Sequence, residues 1–209
     1  MVIYNIQTNG ACSQLVIEVI NDTIYIDPSM VAYVVGAIKF DVINDSKKAF
    51  HGMMGGKQYY KPKFQGTGKI FLHATLGSYH KFALKDDEEL FVNPNAFIVC
   101  RDSVKITPHS NFSLKNFLSG VPMINMMVKG TGSVMVLMPG PVQECALKED
   151  KFIDFGTQVA GYSTQLRVTR EVIGDNWPNS PKMARVFRGT GSVFFCPIPN
   201  KGSRSRSSK

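Results

Sequence analysis

The sequence lacks the features of several protein classes. No stretch has the roughly 18 consecutive apolar residues that a membrane-spanning helix needs. The start of the chain, MVIYNIQTNG, has no basic segment followed by an apolar block, and it is not rich in Arg and Ser. We therefore expect no transmembrane segment, no secretory leader and no presequence that would support mitochondrial import.

Cysteine is scarce, and its placement argues against disulfides and metal centres. Two of the four cysteines, Cys100 and Cys196, lie in apolar segments, where a buried free thiol is the common outcome. This pattern favours the cytoplasm or another reducing compartment. His, Cys, Asp and Glu do not cluster at ligand spacings, so neither a metal site nor a cofactor is predicted.

A recognisable catalytic arrangement is also missing. Ser78 does not belong to a Gly-x-Ser-x-Gly elbow, and the seven-residue separation of His73 and His80 is not a metal-ligand spacing on a strand. The acidic run 86–89 is typical of a solvated turn. We therefore predict that the protein is not an enzyme and has no catalytic residue.

The sequence instead contains one short motif three times. Gly-Thr-Gly occurs in KFQGTGKIFLHA, VKGTGSVMVLMP and FRGTGSVFFCP, each time before an apolar run. Glycine permits positive φ or a close backbone approach, so structural turns between strands are predicted. A phosphate-binding loop is the alternative, but it needs a following helix, and a strand is predicted there. The glycines are Gly66, Gly68, Gly130, Gly132, Gly189 and Gly191.

A second motif recurs in the same order, aligned on Asp27, Asn93 and Asp154. We expect Asp27 and Asn93, which precede prolines, to accept hydrogen bonds from their own backbone two residues on, with a ligand role as the alternative. Two motifs in one order at a similar period indicate internal triplication.

The repeats predict an all-β fold, because β-branched and aromatic residues suit strands and helical signal is short. Three β repeats bury their apolar faces only against one another, so residues 1–200 are predicted to form one compact domain with pseudo-three-fold symmetry. The repeats span about 1–84, 85–146 and 147–200. Alternation predicts inward-facing side chains at Ile70, Leu72, Val134, Val136, Val193 and Phe195.

Several segments resemble the "altered inheritance of mitochondria" family, a domain of unknown function. They are YIDPSMVAY, MMGGKQYY, FVNPNAFIV, NFLSGVPMINMMVKGTGSVMVL and ARVFRGTGSVFF. The likeness extends over about residues 1–198. It implies a fold similar to the tryptophan RNA-binding attenuation protein, that is, a β-sandwich or double-stranded β-helix-like body. Fungal members are tied to organisation of the mitochondrial inner membrane.

Positive charge is unevenly distributed. The chain has a net charge of +8, and its end, KGSRSRSSK, has no acid and nothing apolar. Residues 201–209 are therefore predicted to be a disordered basic Ser/Arg tail. With the basic and aromatic segment KQYYKPKFQ, it offers contacts to nucleic acid or an anionic surface. The candidate residues are Lys57, Lys61, Lys63, Lys201, Arg204, Arg206 and Lys209.

Methionine suggests a further surface, because it fills core gaps and also forms adaptable interfaces. The functional prediction is a non-enzymatic assembly, scaffold or interaction protein, linked to membrane organisation, that self-associates or binds a protein partner. The alternative is a nucleic-acid-binding module that uses the basic residues and the tail. The candidate interface residues are Met53, Met54, Met123, Met126 and Met127.

Overall fold

The computed structural model describes residues 1–41, 62–110, 124–173 and 182–199. In these ranges a short 3-10 turn, Pro28–Met30, is the only helical element. The strands are β1 (Val2–Asn9), β2 (Cys12–Ile26), β3 (Val31–Asp41), β4 (Lys63–Leu72), β5 (Ser78–Leu84), β6 (Glu89–Val92), β7 (Phe97–Arg101), β8 (Val104–Ser110), β9 (Ile124–Gly130), β10 (Gly132–Met138), β11 (Gln143–Asp154), β12 (Thr157–Ser163), β13 (Arg167–Ile173) and β14 (Lys182–Pro199).

The strands form two seven-stranded antiparallel sheets that pack as a sandwich. The first has the order β3-β4-β2-β7-β10-β5, with β1 also paired to β2. The second has the order β11-β14-β12-β6-β9-β8, with β13 also paired to β14. The all-β, sandwich-like prediction is confirmed, and no described segment forms a helix long and apolar enough to cross a bilayer.

The three predicted repeats do not map onto three separate layers. Strands of residues 1–84 lie in the first sheet and strands of residues 147–200 in the second, while those of residues 85–146 are divided between both. Pseudo-three-fold symmetry stays a prediction, as do the repeat boundaries and the disorder of residues 201–209, which lie outside the described residues.

The Gly-Thr-Gly copies mark kinks rather than three turns. In the first and third copies the glycines lie inside the continuous strands β4 and β14, so the prediction of an inter-strand turn is wrong for Gly66, Gly68, Gly189 and Gly191. In the middle copy Gly130 ends β9, in the second sheet, and Gly132 begins β10, in the first.

Each kink faces extra residues in the neighbouring strand. β2 gains a residue between Val19, opposite Gly68, and Asp22, opposite Gly66, and β11 has the same shift between Leu147 and Asp150. In the middle copy the β5–β6 turn supplies the extra residues. The described non-glycine residues with positive φ all lie at these places: Asn21, Asp86, Asp87 and Glu149. Each Gly-Thr-Gly copy therefore lies opposite a bulge in a neighbouring strand of its sheet or, for the middle copy, opposite the β5–β6 turn.

The core confirms most of the predicted strand register. Ile70, Leu72, Val134, Val136 and Val193 have no exposed surface, and Phe195 is partly buried against the cluster that contains Val193. One cluster joins the sheets, since it includes Val136 of β10, Val128 of β9 and Ala160 of β12. None of the four cysteines, all of which lie in the described residues, forms a disulfide, and Cys100 and Cys196 are buried as expected.

The second motif closes a local turn at all three positions, as predicted for Asp27 and Asn93. Asp27 Oδ1 accepts from Ser29 N at 3.0 Å, and Asn93 Oδ1 accepts from Asn95 N at 3.0 Å. Asp154 Oδ1 accepts from Gly156 N at 2.9 Å. Each side chain thus closes a local turn where the chain leaves one strand for the next.

Candidate interaction surfaces

Strand β3 forms one edge of the first sheet and is strongly apolar. Its sequence is VAYVVGAIKFD, and Val31–Ile38 contains no charged residue. Among the described residues β3 pairs only with β4. Val35 and Tyr33 are 57% and 52% exposed. A long apolar edge with unpaired backbone groups is a template for pairing with another strand.

Aromatic contacts fix the shape of this edge. Tyr33 stacks on Phe71 of β4, with ring centroids 4.4 Å apart and planes at 14°. Phe40 contacts Phe64 at 5.9 Å, yet Phe40 is 65% exposed while Phe64 is buried. The edge therefore presents the backbone N–H and C=O groups of β3 together with aromatic side chains that contacts with β4 hold in place.

Three charged residues form a row across neighbouring strands of the second sheet, at the end of β11. Asp154 of β11 is opposite Arg185 of β14, which is opposite Arg170 of β13. Arg185 donates from Nε to Asp154 Oδ2 at 2.7 Å and from a terminal nitrogen to the carbonyl of Thr157 at 3.0 Å. The Asp154 side chain is 1% exposed and that of Arg185 is 29% exposed. This is a largely desolvated ion pair with a second guanidinium beside it.

The opposite face of the same strands has its own ion pair. Arg188 donates to both carboxylate oxygens of Glu171, at 2.5 and 2.8 Å, and Thr169 Oγ1 donates to the same carboxylate. The hydrogen bonds from Arg188 and Thr169 lower the pKa of Glu171 to about 2. Glu171 is therefore committed on this face and is not a partner for Arg170.

A cleft of about 350 Å³ lies where β5 meets the second sheet, and its lining includes His80, Glu144, Ser163 and Ser192. Burial lowers the pKa of His80, and the charge of Glu144 partly offsets this. Ser192 Oγ donates to Glu144 Oε1 at 2.6 Å. The serine proton therefore points to the carboxylate, so these groups do not form a Ser-His relay.

The described residues contain no group of His, Cys, Asp and Glu side chains suited to holding a metal ion. The predictions that the protein is not an enzyme and binds no cofactor stay predictions.

Comparison with known proteins agrees with the resemblance in the sequence. The profile described as "Mitochondrial biogenesis AIM24" matches residues 4–198. The chain belongs to the AIM24 family. A crystal structure of a Streptococcus pyogenes protein is similar to this AIM24-family chain, with a TM-score of 0.71, 14% identity, and coverage of 95% of this chain and 94% of the other. At that identity the likeness supports the fold alone. No curated protein matches the sequence.

The structure places only some of the predicted contact residues of this AIM24-family chain. Lys63 begins β4 and pairs across to Tyr25 and Asp41. Met126 is 4% exposed in the core, so the prediction that it forms an interface is wrong. Met127 is partly buried against a neighbouring cluster. The others lie outside the described residues: Met53, Met54, Met123, Lys57, Lys61, Lys201, Arg204, Arg206 and Lys209.

Sequence reasoning missed two surfaces. The apolar run of β3 was not singled out as a surface, and only the sheet order of the described strands places it at an edge. The Arg170–Arg185 pair joins residues from two strands, so no linear motif marks it. The sequence did contain one signal for β3. A run of 11 residues with only two charges is longer than most strands.

Proposed function

We propose that this AIM24-family protein is a non-enzymatic assembly protein that associates with a second copy of itself through β3. The observation that carries the proposal is the edge of β3, 11 residues with no charge in Val31–Ile38, which no other described strand covers. Pairing would satisfy the backbone groups of both edges and remove apolar side chains from water.

The charge pattern favours a second copy as the partner. In a two-fold arrangement centred on Val35, each residue of one β3 would lie opposite a residue of the other at equal distance from the centre. Lys39 would then face Val31, so the cations of the two copies would stay apart. Tyr33 would face Ala37, which would join the two apolar strips into one.

The first test measures mass in solution. We expect the wild-type chain to form a dimer at tens of micromolar by light scattering, and Val35→Lys to shift it to monomer by placing two ammonium groups together. Ala146→Lys is the matched control, because Ala146 is exposed on the other long edge strand, β11. A monomeric wild-type chain, or an unchanged Val35→Lys dimer, contradicts the proposal.

A cross-link tests the register. Directly opposed residues of antiparallel strands have Cα atoms about 4.5 to 5.5 Å apart, which is within the range that a disulfide spans. In a Cys12→Ser background, Val35→Cys should give an oxidised dimer, whereas Lys148→Cys on β11 should not. A dimer that forms without this cross-link would support association but refute the register.

The family description supports extending this assembly role to mitochondrial biogenesis, and the resemblance extends it to membrane organisation. The nucleic-acid alternative rests on the net charge of +8 and on basic residues of which only Lys63 is described. Native mass spectrometry before and after nuclease treatment distinguishes the assembly proposal from the nucleic-acid alternative. A dimer that survives nuclease supports assembly through protein contacts, and one that dissociates supports the alternative.

A further inference from the structure

The β13–β14 arm has two guanidinium groups side by side. Arg170 and Arg185 are directly opposite one another in the antiparallel pair, so their side chains leave the same face. Both side chains are half-buried. Two cations held this close repel each other unless an anion lies between them.

The available carboxylate serves only one of the two. Asp154 Oδ2 accepts from Arg185, while Asp154 Oδ1 accepts from Gly156 N, Thr157 N and Thr157 Oγ1. Its acceptor capacity is therefore largely used by the turn and by Arg185. The remaining acid among the described residues of this arm, Glu171, is held by Arg188 on the other face.

Arg170 has no acid partner among the described residues. Burial, and then the charge of Arg185, lower the pKa of Arg170. The row Asp154–Arg185–Arg170 thus carries one negative and two positive groups, and no other described acid compensates the second positive charge. A bound oxyanion would neutralise that charge and accept from the Arg170 guanidinium and from the Nη1 nitrogen of Arg185, which is not among its contacts to Asp154 and Thr157.

The neighbouring row on the same face is apolar and exposed. Val172 pairs with Met183 two residues along from the arginines, and these side chains are 54% and 52% exposed. On the other side, Val168 and Phe187 pack into the core. The arginines therefore separate a buried apolar row from an open one.

We propose that Arg170 and Arg185, with Val172 and Met183, form a binding site for a phosphate group attached to an apolar chain. The Arg170 guanidinium and the Nη1 nitrogen of Arg185 would hold the phosphate oxygens, and the exposed row of Val172 and Met183 would cover the first carbons of the chain. The same chemistry is found in a soluble alkyl phosphate and in the headgroup region of an anionic phospholipid. The site lies in the second sheet, away from β3, so this inference stands apart from the proposed self-association.

Calorimetry with three probes tests the site on the full chain. Decyl phosphate presents both parts, inorganic phosphate only the oxyanion, and decyl maltoside only the apolar part. We expect decyl phosphate to bind tightest and Arg170→Gln to weaken it about tenfold, since a charge-assisted contact is lost. Arg167→Gln is the matched control, because Arg167 is exposed on the opposite face of β13 and its loss should leave the affinity unchanged.

A second variant keeps the proposal testable. Val172→Ser should weaken decyl phosphate several-fold and leave inorganic phosphate unchanged. Equal affinity for decyl phosphate and decyl maltoside, or no effect of Arg170→Gln, overturns the proposal.

Vesicles distinguish the two sources of the ligand. Co-sedimentation with phosphatidylcholine vesicles that contain phosphatidylglycerol, but not with phosphatidylcholine alone, supports a lipid headgroup when Arg170→Gln abolishes it. Tight binding of decyl phosphate without co-sedimentation supports a soluble ligand. Sedimentation that persists in Arg170→Gln overturns the membrane form of the proposal.

Discussion

The two long edge strands, β3 and β11, are alike in position and opposite in character. Each lies beside a strand that contains Gly-Thr-Gly, β4 or β14, and they have 11 and 12 residues. β11 carries six charged side chains and a bulge, whereas β3 carries two charges, both near its end, and pairs without interruption from Tyr33 to Asp41. Charge and bulges are the usual protection of an edge, so β11 is protected, whereas β3 lacks both devices along Val31–Ile38 and has no described strand on its outer side.

The glycine kinks beside the two edges should differ most. A Cβ on Gly66 would lie 2.1 Å from the carbonyl oxygen of Ala37, whereas a Cβ on Gly189 would meet nothing closer than 3.7 Å. Both have positive φ, 140° and 116°. Gly66→Ala should therefore lower the free energy of unfolding by about 4 kcal/mol, from strain plus overlap, and Gly189→Ala by about 2 kcal/mol, from strain alone.

Denaturant unfolding of both variants measures this difference. Equal losses would mean that β3 moves away from β4 at little cost. In that case the uninterrupted pairing of β3 with β4 beside Gly66 would not be the feature that distinguishes the β3 edge from the β11 edge.

The turns that follow β2 and β11 should show the next largest difference. Asp154 is buried and bound to Arg185, while Asp27 bonds only its local turn through Ser29. Asp154→Ala should cost about 3 kcal/mol, because it leaves a half-buried Arg185 without its acid. Asp27→Ala should cost about 1 kcal/mol, the loss of a cap. Thermal and urea unfolding check both, and the order reversed would refute this account.

Salt distinguishes association through the two edges. If copies associate through β3, the dimerisation constant should be unchanged or higher in 1 M sodium chloride, because apolar contacts do not depend on screening. If they associate through the charged β11, it should fall, since the screening length drops to about 3 Å. Sedimentation velocity at low and high salt gives the answer.

The smallest expected effect is the pH dependence of stability that comes from His80. This residue lies on β5, the other edge strand of the first sheet, and lines one cleft together with Glu144 of β11. Burial holds the pKa of His80 below its ordinary 6.5, so the unfolded chain takes up the proton first as pH falls. The stabilisation is therefore present above pH 6.5 and lost below it. We expect the melting temperature to fall by roughly 2 °C between pH 7.5 and 5.5, and less in His80→Gln. An equal fall in that variant would assign the effect to other groups.

The sequence was informative wherever a feature is local. The capping by Asp27 and Asn93 depends on residues two positions away, and it was predictable from turn chemistry. The alternating core of β4 and β10 was equally readable. The family resemblance added the sandwich-like fold.

What the sequence did not reveal depends on pairing between distant strands. Val35 and Val136 look alike in sequence, yet one lies on an edge and the other in the centre of a sheet. The Gly-Thr-Gly copies were predicted as turns because a glycine at a kink within a strand has the same local signature as a glycine between strands. The pairing of Arg170 with Arg185 follows from a register that only the folded arm defines.

The division of residues 85–146 between two sheets constrains how the chain is made. β5 has β10 as its only described strand partner, and β10 begins at residue 132 whereas β5 ends at residue 84, a gap of 132 − 84 = 48 residues. During translation the first 84 residues therefore emerge with β5 unpaired and with the apolar β3 already outside the ribosome. Such a nascent chain presents an aggregation-prone strand for the whole interval, and the cell must either synthesise that stretch quickly or cover it with a chaperone.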